Sequence, residues 1–297
     1  MTCSLSTPDP QTRQESSSVT SPPLAVPLPD WDDPLPTPAV SPESFLRKTF
    51  AIVGMDIRKL RRDPSELLTR AIQPALWLLV FGQVFTHARS IPTGQLPYQD
   101  FMAPGILAQS VLFIAIFYGI AVIWERDLGI VHKMLATPTP RAALVLGKGL
   151  SAGVRALSQA LIIYFLAWWL GVKLNWHPLA VAGVLVAVVL GAALFSTFSL
   201  IIACLVKTRE RFMGVGQVMT MPLFFASNAI YPISMMPSWL KAVAWANPLT
   251  YEVDALRSLM LANSHSEFGL LMDFTVLIST TLVLTLIGAR LYPRLAT

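Results

Sequence analysis

Residues Phe101–Trp124 read FMAPGILAQSVLFIAIFYGIAVIW and hold no charged side chain. That length exceeds the roughly 20 residues a helix needs to cross the hydrocarbon core of a bilayer. The next such stretch, Leu179–Val206, is longer and equally uncharged. Shorter apolar runs over Leu67–Phe85, Leu150–Leu170, Phe212–Ile230 and Gly269–Leu291 bring the expected number of spans to six. The fold class expected is all-α, a polytopic membrane protein with six transmembrane helices. Composition agrees: only 13% of the residues are charged, against about a quarter in a soluble domain.

Outward from these spans the chain divides into three zones. Residues 1–42 hold ten of the 23 prolines, with Ser16-Ser17-Ser18 and the acids Asp30, Asp32 and Asp33. Little apolar periodicity is present to build a core, so a disordered cytoplasmic tail is expected. Residues 43–63 change character. Phe45, Leu46, Phe50, Val53, Ile57 and Leu60 recur at helical spacing among Arg47, Lys48, Arg58, Lys59, Arg61 and Arg62. This is the pattern of a basic amphipathic helix lying on the membrane surface, started by Ser41-Pro42 and ended by Asp63-Pro64. Residues 64–297 form the six-helix transmembrane domain.

Fifteen Lys and Arg flank the spans on the N-terminal side of the membrane and four (Arg89, Lys173, Lys241, Arg257) on the other. The positive-inside rule then places both termini in the cytoplasm. The net charge of +5 has the same origin. It anchors loops at a lipid surface, and no nucleic-acid partner is expected. No basic stretch followed by a short apolar segment opens the chain, so the first span is expected to direct insertion.

Catalytic chemistry is absent from the pattern. Gly147-Lys148-Gly149 lacks the upstream Gly and the following Ser/Thr of a phosphate loop. His87, His132, His177 and His265 are never at ligand spacing, and Cys3 and Cys204 stand far apart. No enzyme activity, cofactor or metal is therefore expected. No span carries a carboxylate near its midpoint, which weighs against a secondary carrier driven by protons or sodium. A membrane assembly factor without transport is the other rival reading.

Two connections hold unusual sequence. Trp124–Arg141 alternates charged and apolar residues and ends in Pro138-Thr139-Pro140, which makes an amphipathic knob or an ordinary interfacial loop. Tyr231–Arg257 is too apolar for a free loop and too interrupted for a span. Short interfacial or re-entrant helices on the outer face fit it. Gly183, Ala187 and Gly191, like Gly149 and Gly153, make small-residue stripes suited to close packing, within one subunit in preference to a dimer seam. Trp168, Trp169, Trp176, Trp239 and Trp245 are expected to form an aromatic belt. Arg155, in span three, either snorkels or faces a substrate phosphate.

These segments carry a resemblance. Tyr98, Phe101, Pro104 and Gly105 open span two; Glu125-Arg126, Gly129, Leu135, Pro138, Arg141 and Gly147-Lys148 follow; then come Pro232, Pro237-Ser238-Trp239-Leu240, Asn247-Pro248-Leu249-Thr250-Tyr251 and Leu256-Arg257. In this order and spacing, over about residues 44–295, the chain resembles the permease subunits of type-2 ABC exporters, among them daunorubicin-resistance, nodulation-factor and polysaccharide exporters. Where such permeases often show Ser-Gly near the end of span five, this chain reads Ala226-Ser227-Asn228.

The resemblance implies a homodimer of six-span permeases in a bacterial cytoplasmic (inner) membrane. A separate ABC ATPase chain would bind the ATP, and a hydrophobic or amphiphilic drug, lipid or glycan-lipid would be exported. It implies that Glu125, Arg126, Gly129, Lys133, Leu135 and Arg141 couple the permease to that ATPase. Arg155 and Asn228 are assigned to the substrate path.

Overall fold

The computed structural model of the protein describes residues 42–62, 65–88, 96–135, 139–206, 208–262 and 264–295. Apart from Pro42, the expected tail lies outside them. Among the described residues no strand occurs; a single antiparallel bridge pairs Leu174 with Leu261.

Helix α1 (Pro42–Arg62) buries Thr49, Ile52, Val53 and Asp56. The i, i+3, i+4, i+7 spacing puts these four on one face. That face lies against α6 (Arg141–Trp169), where a Cβ on Gly147 would come within 2.9 Å of Ile52. Leu46, Phe50 and Met55, to either side of it, are exposed. α2 (Ser65–Leu76), a π-helical turn (Trp77–Phe81) and α3 (Gly82–Ala88) follow one another without leaving helical geometry. Pro74 lies inside α2 and has no N–H to donate, and the ladder widens one turn later.

α4 (Tyr98–Asp127) is the centre of the domain, buried on almost every side from Tyr98 to Ile116. Its sequence is apolar all round, as a helix with no lipid or solvent face requires. α5 (Ile130–Leu135) leads into α6, and α7 (Pro178–Leu205) packs against both α4 and α6. The close approach of α6 and α7 uses two glycines: Cβ atoms on Gly149 and Gly153 would stand 3.4 Å from Ala193 and 3.0 Å from Val189. On α7 itself, Gly183 faces Leu259 and Gly191 faces Glu252. These small-residue contacts are made within this chain.

α8 (Arg209–Phe225), a 3-10 turn at Ile233–Met235, α9 (Ser238–Ala246), α10 (Pro248–Met260) and α11 (Leu270–Leu291) complete the order, with a last 3-10 turn at Tyr292–Leu295. α11 turns its polar side inward. Asp273, Thr281 and Thr285 are buried with Leu277 and Gly288, while Leu271, Leu282, Val283 and Leu286 are exposed. A helix facing hydrocarbon, where apolar groups gain nothing by hiding, shows this inversion.

Four helices among the described residues are long and apolar enough to cross a membrane: α4, α6, α7 and α11. The other two expected spans coincide with shorter or interrupted helix, the 17-residue α8 and the α2–α3 run. Trp168, Trp169, Trp176, Trp239 and Trp245 are all exposed. Arg126, Arg141, Arg209 and Arg290 lie at one end of the bundle, here the basic end; α7 and α11 begin at the other, the far end.

The segment expected as outer-face helices divides in two. α9 is largely exposed, but α10 buries every residue from Leu249 to Arg257 against α4, α7 and α11. It sits inside the domain and not on its face. At 13 residues it is too short to cross.

Candidate functional site

At the basic end, charged side chains from three helices meet in the interior. Lys148 of α6 is 3% exposed. Its Nζ lies 2.8 Å from each carboxylate oxygen of Glu125 on α4, and 3.6 Å from Oδ2 of Asp56 on α1. The Tyr118 hydroxyl, two turns back on the same face of α4, donates to the same Asp56 oxygen. The Arg155 guanidinium stands 4.9 Å from the Tyr118 ring centroid, within cation–π range. Two acids and two bases are thus grouped, with a phenol between them.

Local sequence makes the arrangement feasible. Gly147 and Gly149 flank Lys148 and let α6 approach Ile52 on one side and Ala193 on the other. A side chain between such contacts is shut off from solvent, and in that setting an ammonium must be paired. The Gly-Lys-Gly triplet lies within a helix and serves packing and charge pairing.

Next to this cluster, α4 closes in a tight turn. Leu128 N–H donates to Trp124 O (3.0 Å) and Gly129 N–H to Arg126 O (2.9 Å). Gly129 adopts φ 70°, which residues with a Cβ avoid, so the turn itself needs the glycine. Asp127 accepts from Arg209 Nη2 (2.7 Å) and Nε (3.0 Å), and from Arg126 at 3.1 Å. The Arg209 guanidinium lies 3.9 Å over the Trp124 ring. The start of α8 is thereby tied to the end of α4.

The expected coupling residues consequently separate. Glu125 points inward to Lys148, so its charge is not on the surface; Arg126 is half-buried; Lys133 and Arg141 are exposed. The side chain of Leu135 lies outside the described residues. Leu128 is 68% exposed beside them. Arg155 joins the buried cluster and is remote from Asn228. The latter is buried in the turn after α8, where its carbonyl accepts from Arg257 Nη2 (2.7 Å).

That far-end turn is held from several sides. Tyr98 donates to Ile230 O (3.2 Å), and Asn247 Nδ2 donates to Leu223 O (2.7 Å) and Ala226 O (3.3 Å). A Cβ on Gly105 would fall 2.3 Å from Ala229 O, so the turn presses directly on α4. The Arg257 guanidinium lies 3.8 Å over Phe101. Asp56, Tyr118, Lys148 and Arg257 were not foreseen as site residues. The available signal was an isolated acid, Asp56, on the face of α1 that also carries Thr49, Ile52 and Val53, and a lysine between two glycines.

Residues 47–261 match the model of the ABC-2 type transporter family. The chain is 29% identical to the ycf38 protein of Cyanophora paradoxa over 228 residues, 75% of this chain and 77% of that one. With the daunorubicin resistance ABC transporter permease protein DrrB1 of Streptomyces coeruleorubidus, identity is 27% over 198 residues, 66% and 69% of the two chains. Nodulation protein J of Rhizobium leguminosarum bv. viciae is 26% identical over 195 residues, covering 63% and 74%. A match across most of the chain, on a helical domain with four apolar helices of spanning length, has one reading: this protein belongs to the ABC-2 type transporter family of membrane transport permeases.

Proposed function

We propose that the chain is the permease subunit of an ATP-driven exporter, acting as a homodimer with a separate ABC ATPase bound at its basic end. The α2–α3 run and α8 count as the first and fifth of six spans, and both termini and the 125–148 connection are cytoplasmic. The membrane is a bacterial inner membrane. The ATPase binds all the ATP, and the permease is not itself an enzyme. The cargo is hydrophobic or amphiphilic; the DrrB1 relative, named for daunorubicin resistance, supports that class.

The observation that carries this reading is the pairing of Lys148 with both Asp56 and Glu125. Breaking a buried ion pair by removing one partner costs about 3–5 kcal/mol. α1, α4 and α6 therefore move together when the basic end is pushed. Leu128, Lys133 and Arg141 supply an exposed surface next to that joint, and Arg126, Gly129 and Leu135 complete the connection that bears it. Arg155, midway along α6, and Asn228, at the far end, retain their assignment to the substrate path.

The test is Leu128→Asp in the full chain co-expressed with an ABC ATPase that co-purifies with the wild type. The variant is expected to reach the membrane at wild-type level while losing most of the co-purifying ATPase. Wild-type retention of the ATPase would remove this surface from the docking site.

A further inference from the structure

Among the described residues, Glu252 is the one carboxylate that is fully buried and has no hydrogen-bond partner on either oxygen. It belongs to α10 but reaches α7, where its carboxyl fills the space a Cβ on Gly191 would need, 2.2 Å away. Gly191 stands midway between Pro178 and Leu205, the ends of α7. An acid thus lies at mid-height of the membrane domain although no span supplies it there. The objection to proton chemistry drawn from the spans alone does not hold.

The groups on the elements packed against α10 are engaged elsewhere. On α4, Tyr98 bonds Ile230 O at the far end, Asp100 interacts with Lys173, and Tyr118 and Glu125 belong to the basic-end cluster. α7 offers only Cys204 near its basic end, and α9 offers Lys241, partly exposed. On α11, Asp273 is bonded by Ser266 at the far end and Arg290 lies at the opposite end. Within α10, Asp254 accepts from Ser266 Oγ and Phe268 N, Arg257 donates to Asn228 O, and Tyr251 to Trp245 O. Among the described residues neither oxygen of Glu252 has a hydrogen-bond partner.

An ionised carboxylate sealed in such a place is so costly that the group takes up a proton instead. The Gly191 contact leaves no room for water to hydrate the charge. Ionisable groups at membrane depth are retained for function more often than for stability. We infer that Glu252 is a proton-binding site of the membrane domain: its carboxyl holds a proton while α10 is seated on Gly191 and releases it when that seam opens. The step is an acid–base exchange. The O–H bond breaks, the proton passes to an entering water, and the carboxylate left behind is hydrated; no electrons are transferred. By linkage, the proton favours the closed seam and its loss favours the open one.

The test is infrared spectroscopy of the full-length chain in lipid nanodiscs at neutral pH, comparing wild type with Glu252→Gln. The difference is expected to contain the C=O stretch of one protonated carboxyl and no carboxylate bands. Glu252→Leu gives the same difference if the Gln variant folds poorly. A difference containing only carboxylate bands would overturn the proposal. Gly191→Ala wedges the seam and is expected to replace the protonated band by carboxylate bands; an unchanged band would overturn the link to seam opening. The readout needs neither ATPase nor cargo, so its failure and that of the exporter reading are distinguishable.

Discussion

Lys148 and Glu252 are both buried ionisable side chains at helix contacts narrowed by glycine, and they are accommodated in opposite ways. Lys148 meets two carboxylates from two other helices and sits beside a phenol that shares one of them. Glu252 packs against Gly191, and among the described residues neither of its oxygens has a hydrogen-bond partner. A charge that is paired joins helices firmly, because separating them strands ions in a low dielectric. A carboxyl without partners adds no such lock, and its burial lasts only while the helices stay together. The basic end is therefore built to move as a unit, whereas the α7–α10 seam is built to part.

The largest effect expected from this contrast comes from Lys148→Met. It leaves Asp56 and Glu125 buried without their cation and should destabilise the domain by about 3–5 kcal/mol, read from denaturant titration in detergent. Adding Asp56→Asn and Glu125→Gln should restore most of the loss. If the single variant unfolds like wild type, the contrast between the two regions fails.

The opposite sign is expected at the seam. Glu252→Leu exchanges a partnerless polar group for an apolar one of similar size, so stability should rise by about 1 kcal/mol, seen as a higher melting temperature. A marked fall would mean that Glu252 has a favourable role in the folded state that its surroundings do not reveal.

The smallest effect sharpens the distinction between buried and exposed pairing. Arg209 pairs with Asp127 at side-chain exposures of 40% and 34%. Solvent screens such a pair, so Arg209→Ala should leave the unfolding midpoint close to that of wild type even with its stacking on Trp124. A loss comparable to Lys148→Met would show that the α4–α8 tie is a structural joint in its own right.

The helices themselves were legible in the residues. A long apolar run must close its own backbone hydrogen bonds wherever water is excluded, and α4, α6, α7 and α11 lie where the apolar runs stand. The α1 helix was legible for the same reason, but its buried face was not: of the described periodic apolar residues Leu46 and Phe50 are exposed and only Val53 is buried, alongside Thr49, Ile52 and Asp56. The glycines that narrow α6 and α7 were visible as stripes, though not their contacts.

The charge pairs and the position of α10 were not legible. Asp56, Tyr118, Glu125 and Lys148 lie on three helices, and their meeting depends on how far each helix is rotated about its axis and where it crosses the next. The same holds for Glu252. Its segment is too interrupted to read as a span, yet it is enclosed by α4, α7 and α11. Alone, the sequence determined which stretches are helices apolar enough for a bilayer, because that requirement is met residue by residue along one chain segment. Only the tertiary structure decided which buried charges find partners and which acid is left without one, because a partner is a matter of distance between segments remote in the chain.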